Sequence, residues 1–195
     1  MSNKLFEQVS KCVICEPELP LGARPVVQFN PRARILIAGQ APGINVHKTG
    51  IPFNDASGKR LRAWLGLNEA QFYDASNIAI LPMGFCFPGK GKSGDLPPRK
   101  ECAPTWRAQL LAALPNIKLT IVLGKYAQAY HLPQSKHLPL TELVKSWREY
   151  WPSHLPLPHP SPRNNIWLKK NPWFEQQVVP ELAVRIRTLL DIHNA

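Results

Sequence analysis

Apolar residues fall along the chain into short dense runs separated by stretches in which they recur every three or four positions. Arg34-Ile35-Leu36-Ile37-Ala38 is one run, ending at Gly39. Ile78-Ala79-Ile80-Leu81 is a second, stopped by Pro82, and Leu119-Thr120-Ile121-Val122-Leu123 is a third, closed by Gly124. Runs of this length bounded by Gly or Pro read as strands buried on both faces. Leu155-Pro156-Leu157 reads as a short edge strand, since proline cannot serve a central ladder. Helical spacing predicts a helix over 58–67, with Leu61, Trp64 and Leu65 together, and another over 101–114, with Trp106, Leu110, Leu111 and Leu114 on one face. Shorter helices are expected over 3–12, ending near Cys12, over 125–130 and over 140–150. A long helix is expected over 173–192, kinked or broken at Pro180. Residues 40–57 and 84–98 read as loops. Strands alternating with helices predict an α/β architecture, a mostly parallel sheet between helical layers. With no repeat, low-complexity tract or linker, 1–195 reads as one domain.

Composition sharpens this picture. The 21 prolines cluster at 17–25, 82–104 and 152–173, which excludes long helices and central strands there. Lys and Arg number 24 against 13 Asp and Glu, a net charge of +11. Such a surplus points to a polyanionic partner, with nucleic acid first. The opening Met1-Ser2-Asn3-Lys4-Leu5 lacks an apolar signal core, and no apolar run approaches the roughly 20 residues that span a bilayer. A cytoplasmic protein with reduced thiols and no membrane contact is expected, and a monomer, since no coiled-coil pattern or broad apolar stripe is present.

In parallel sheets, sites form beyond the carboxyl ends of the strands, and three motifs fall there. Gly39-Gln40-Ala41-Pro42-Gly43 follows the first strand as a tight turn whose backbone can approach a ligand. Thr49-Gly50-Ile51-Pro52-Phe53-Asn54-Asp55-Ala56-Ser57-Gly58 then opens a helix. Asp55 or Ser57 suits a helix cap, and an Asp beside a Phe also suits a base next to a stacking platform. His159-Pro160-Ser161-Pro162-Arg163-Asn164 is a loop stiffened by two prolines, fit for phosphate contact or duplex insertion. Cys12 and Cys15 form Cys-x-x-Cys, with Cys86 and Cys102 further on. Four such cysteines signal a metal site, zinc or iron–sulfur, against the plainer reading of unconnected buried thiols.

This order of motifs resembles the uracil-DNA glycosylase superfamily, over about residues 12–185, and the cysteine layout resembles its iron–sulfur families 4 and 5. The resemblance implies a three-layer αβα sandwich with a central four-stranded parallel sheet. It implies an enzyme that flips a damaged nucleotide, uracil or a related deaminated base, out of DNA and hydrolyses its N-glycosidic bond. It assigns His159 to the base O2, Phe53 to stacking on the flipped base, and Asp55 to orienting water or stabilising the sugar cation. Gln40 and Ala41 take the water-activating or base-contacting places. Gly39, Pro42, Gly43, Asn54, Ser161 and Asn164 join the substrate-binding loops, and Arg163 probes the duplex. Cys12, Cys15, Cys86 and Cys102 would hold a structural [4Fe–4S] cluster, with zinc or empty cysteines as the alternative after aerobic handling.

The chain departs from the family pattern in places. Gln40 stands where family 4 often has Glu, Ala41 replaces Asp or Asn, and Pro82 occupies the place of an Asn that reads the uracil edge. The lesion is therefore left open, and so is a second possibility, a DNA-binding module with weak or no catalysis. Lys59, Arg60, Arg62, Lys90, Lys92, Arg99, Lys100, Lys169 and Lys170 are expected to form a DNA-facing rim. Trp167 and Trp173, near the last motif, read as core packing ahead of contact with sugar or base.

Overall fold

The computed structural model describes residues 2–92 and 94–192. Its strands are β1 (Ile35–Ala38), β2 (Ile78–Ile80), β3 (Lys90–Gly91), β4 (Gly94–Asp95), β5 (Leu119–Leu123) and β6 (His154–Leu157). Its α-helices are α1 (Ser2–Ser10), α2 (Ile44–Thr49), α3 (Ala56–Leu65), α4 (Glu69–Tyr73), α5 (Cys102–Ala112), α6 (Lys125–His131), α7 (Leu140–Lys145), α8 (Asn165–Lys170) and α9 (Val179–Leu190).

The predicted strands form one four-stranded sheet in the order β2-β1-β5-β6. All three pairings are parallel, Ile35 lying opposite Ile78 and Leu119, and Thr120 opposite His154. β6 is an edge strand, which is where Pro156 can be accommodated. Side chains alternate across the sheet. Ile35, Ile37, Ile78, Ile80, Leu119, Ile121, Leu123, Leu155 and Leu157 pack on one face against Leu61, Trp64 and Leu65 of α3 and Leu182, Ile186 and Leu190 of α9. Leu36 and Ala79 face Val9 of α1 and Leu110 of α5 on the other side. Ala38 and Val122 meet Ala127 of α6 there. The result is the expected αβα layering.

The departures lie in the connections. α1 ends at Ser10, short of Cys12. The helix expected over 140–150 is α7 followed by a separate 3-10 turn, Trp147–Glu149. The C-terminal helix is distorted rather than interrupted ahead of Pro180: residues 172–190 are helical throughout, with a π-helical turn, Phe174–Val178, leading into α9 and Pro180 in the first turn of α9. Proline has no N–H for the preceding turn, so the ladder adjusts around it. The 84–98 stretch is not wholly irregular, because it contains the β3–β4 hairpin, Lys90 opposite Asp95. Two residues per strand give no readable periodicity.

Candidate functional site

Parallel strands bring their carboxyl ends to one edge. The chain leaves β1 for β2 and then crosses back to β5 on the other side of β1, which makes β1 the point where loops diverge and a crevice opens. A cleft of about 420 Å³ lies there, lined by the loops after β1, β2 and β6, the segment before α3, and the β3–β4 hairpin. The β1 and β2 loops are held together past the strands by Met83 N–H to Gly39 O (2.9 Å) and Gly84 N–H to Gln40 O (2.9 Å).

Gly39, Gln40, Ala41, Pro42, Gly43, Phe53, Asp55, His159, Ser161, Arg163 and Asn164 all line this cleft, although they come from three separate parts of the sequence. Asn54 is exposed and is not part of the lining.

Asp55 caps α3: its Oδ1 accepts the Gly58 N–H at 2.9 Å. That settles the choice between Asp55 and Ser57 as the cap and starts the helix two residues before the expected Gly58. Phe53 has φ of 55°, in the left-handed region that costs a non-glycine residue roughly 1–3 kcal/mol. The turn brings the Phe53 carbonyl against Gly58, where a Cβ would lie 1.7 Å from the oxygen. Gly58 is thus required by close approach. The Phe53 ring contacts the edge of Phe72, centroids 6.2 Å apart, and lies beside Gly39.

His159 is held by its own loop. Ser161 N–H donates to His159 Nδ1 (3.2 Å) and Asn164 Nδ2 donates to His159 O (2.7 Å). Arg60 of α3 donates to the carbonyls of Pro160 (3.3 Å) and Ser161 (3.2 Å). Burial pulls the His159 pKa below its ordinary value, opposed by Asp55 and Asp95 and aided by Arg163. A neutral imidazole whose Nδ1 accepts a backbone N–H carries its proton on Nε2. His159 is accordingly a neutral hydrogen-bond donor.

Gln40 enters the cleft, but its Nε2 donates to Leu96 O (3.3 Å). Pro82 lines the cleft with no polar side chain and no N–H. The sequence reading missed Asp95, which the hairpin carries into the cleft. It also missed Arg107 of α5, which is 1% exposed and donates to the carbonyls of Leu81 (3.0 Å) and Pro82 (3.1 Å). Arg107 also contacts His131 and lies over the Tyr130 ring. Burial lowers the Arg107 pKa to about 10, so it remains a cation at neutral pH and fixes the β2 loop. One Arg beside Trp106 on an amphipathic helix gave no sign of this.

The expected basic rim divides. Lys59, Lys90, Lys92, Lys100, Lys169 and Lys170 are exposed. Arg60 instead clamps the His159 loop, Arg62 pairs with Glu69 (3.4 Å) and lies over Phe72, and Arg99 pairs with Glu101 (3.0 Å) and Glu18 (3.6 Å). Trp167 and Trp173 pack against Phe174 and the core, as expected. Among the described residues no helix is long and apolar enough to cross a membrane.

Cys12, Cys15, Cys86 and Cys102 line one small cavity at the N-terminal end of α5, so they are not scattered thiols. Trp106 Nε1 donates to Cys12 Sγ at 3.3 Å. Burial pushes the thiols of Cys86 and Cys102 up to about 11 and about 12. Among the described residues, no three Cys, His, Asp or Glu side chains converge to hold a single ion.

A family model described as the uracil DNA glycosylase superfamily matches residues 26–183. The type-4 uracil-DNA glycosylase of Sulfurisphaera tokodaii is 28% identical over 129 residues, covering 66% of this chain and 56% of that protein. The type-5 uracil-DNA glycosylase of Thermus thermophilus is 32% identical over 154 residues, covering 71% of this chain and 66% of that protein. The matches therefore span between half and two-thirds of these relatives' lengths. In fold, the chain is similar to the solution NMR structure of a candidate uracil DNA glycosylase from Methanosarcina acetivorans, with a TM-score of 0.50 at 16% identity over 84% of this chain and 95% of the other. Because the family model runs over most of the sequence, and over every strand that builds the cleft, the chain belongs to the uracil-DNA glycosylase superfamily.

Proposed function

We propose that this chain is a DNA N-glycosylase that hydrolyses the bond between C1′ and uracil, or a related deaminated base, after the nucleotide is flipped out of DNA. The observation that carries the reading is one cleft holding a neutral His159 donor, the Asp55 carboxylate and the Phe53 ring together. The flipped base stacks on Phe53. As the C–N bond breaks, its electron pair leaves with the base, and His159 Nε2–H faces the developing negative charge. A neutral donor suits this, since it need not carry a charge of its own out of water. Asp55 spends Oδ1 on the cap and leaves Oδ2 for the sugar cation or for the water that adds to C1′. Products are the free base, which takes up a proton, and an abasic site. The exposed lysines hold the phosphates, with the protein acting as a monomer on single- or double-stranded DNA.

A second reading rests on Gln40 and Pro82. With the Gln40 amide donating to Leu96 and proline at the end of β2, the scaffold suits a DNA-binding module of weak or no catalysis. Uracil- and hypoxanthine-containing oligonucleotides, followed by alkali, separate the two. Strand scission that disappears in Asp55→Asn supports the glycosylase. Salt-sensitive binding with no scission on any lesion supports the module and refutes the enzyme.

We further propose that Cys12, Cys15, Cys86 and Cys102 hold a [4Fe–4S] cluster. The donor set fits: four thiols line one cavity, and four cysteine thiolates are the ligand set of a [4Fe–4S] cluster. The cluster's part is structural, tying the segment after α1 to the start of α5. Anaerobic protein is expected to contain iron and sulfide and absorb visible light, and Cys86→Ser to lose both. Colourless anaerobic protein holding stoichiometric zinc would refute the assignment.

A further inference from the structure

We propose that Asp95 is a specificity-determining residue, which accepts a hydrogen bond from the lactam N–H of the flipped base. The proposal rests on the glycosylase reading for its substrate class and deepens it.

The hairpin fixes Asp95 in the cleft. Lys90 pairs with Asp95 and Gly91 with Gly94 across β3 and β4. Leu96 N–H donates to Gly89 O (2.8 Å), and Leu96 O accepts from Gln40. The Arg163 guanidinium lies against Gly94, whose φ is 148°, and a Cβ there would fall 1.9 Å from Nη1. Gln40 and Arg163, both motif residues, thus lie against the hairpin. Asp95 Oδ2 faces Gly43, 3.5 Å from where a Cβ would stand, and its charge raises the proton affinity of His159.

Its chemistry is unusual for the place. Asp95 is exposed, and no hydrogen bond or ion pair engages its carboxylate among the described residues. In a chain of net charge +11, an unpaired carboxylate in a DNA-facing cleft opposes the phosphates. An ionised carboxylate only accepts hydrogen bonds, so what it favours is an N–H donor. Asp55 is committed in part to its helix, and Pro82 offers the base edge nothing. A lactam N–H, next to a ring carbonyl in uracil, hypoxanthine and xanthine, is such a donor. Cytosine and adenine present a ring-nitrogen lone pair at the equivalent edge, which the carboxylate repels. Neutral His159 facing a carbonyl and Asp95 facing the neighbouring N–H together select deaminated bases.

The test uses anaerobically purified full-length protein and three otherwise identical DNAs. One carries 2′-fluoro-2′-deoxyuridine, whose bond resists cleavage, one a tetrahydrofuran abasic analogue, and one cytosine. The wild type is expected to bind the fluorinated uridine over cytosine. Asp95→Ala is expected to weaken binding of the fluorinated uridine by roughly 10- to 100-fold, the size of one charge-assisted hydrogen bond, with abasic-analogue affinity unchanged. Asp95→Asn, which can turn an N–H toward a ring nitrogen, is expected to narrow the uracil-to-cytosine preference while keeping the fold. A wild type without that preference, an Asp95→Ala that keeps it, or a variant losing abasic and uracil affinity in step would overturn the proposal. Because binding is read without cleavage, an Asp95-dependent preference in a protein that cuts no lesion would sink the glycosylase reading alone.

Discussion

Replacing Gly58 by Ala tests how the cleft is built. In an ordinary helix position the change stabilises by roughly 1 kcal/mol, since alanine is the better helix former. Here the new Cβ would stand 1.7 Å from Phe53 O, 2.7 Å from Phe53 C and 2.8 Å from Phe53 Cβ. Two of these atoms are backbone, so no rotamer change relieves the overlap, and the turn must move by more than an ångström. Overpacking of this kind costs about 1–3 kcal/mol, and displacing Gly58 N–H from Asp55 removes a cap worth about 1 kcal/mol. The net expectation is a loss of about 2 kcal/mol, seen as an apparent Tm lower by about 4–8 °C in a protein of this size. Urea and thermal denaturation of anaerobic protein measure it, with Lys59→Ala, the exposed neighbour, expected to stay within about 0.5 kcal/mol. Binding of the fluorinated uridine should weaken as the Phe53 ring shifts. A Gly58→Ala protein that gains stability and binds as the wild type does would refute the close-approach argument.

The remaining predictions concern acid and salt. Burial, with Arg107 next, lowers the His131 pKa to about 3, against about 6.5 when unfolded. The unfolded chain therefore binds the extra proton between those values, and stability present above pH 6.5 is lost as pH falls toward 3. His131→Gln should reduce that slope by up to about 1.4 kcal/mol per pH unit, and urea midpoints between pH 4 and 7 that keep the wild-type slope would contradict it. Lys169 and Lys170 are exposed at the end of α8 and outside the ion pairs seen among the described residues. Changing both to Gln should lower DNA affinity and flatten its log–log salt dependence by roughly 1.4–1.8, and an unchanged slope would remove them from the phosphate-binding surface.

The sheet was legible in the sequence because its strands are buried on both faces. Ile35–Ala38, Ile78–Ile80 and Leu119–Leu123 need near-continuous apolar runs, broken only by Thr120, and Gly or Pro must stop them. The motif residues Gln40, Phe53, Asp55 and His159 were legible by type and order, and the parallel topology accounts for their meeting at one sheet edge. Cys-x-x-Cys likewise announced a grouping with Cys86 and Cys102 that the fold completes at one cavity.

Tertiary structure decided what depends on contacts between distant segments. Asn54 lies within a motif yet outside the cleft lining, because the turn at Phe53 directs successive side chains differently. Arg60 and Arg62, adjacent to the same motif, are held by Pro160, Ser161 and Glu69, partners up to 101 residues away. Arg107 became a buried brace because two carbonyls at the end of β2 lacked donors in a place where water is excluded. Asp95 reached the cleft on a hairpin with two residues in each strand, too short to leave a period. Local pattern records which faces are buried; which charges meet, and which carboxylate is left to read a base, is fixed only when the chain closes on itself.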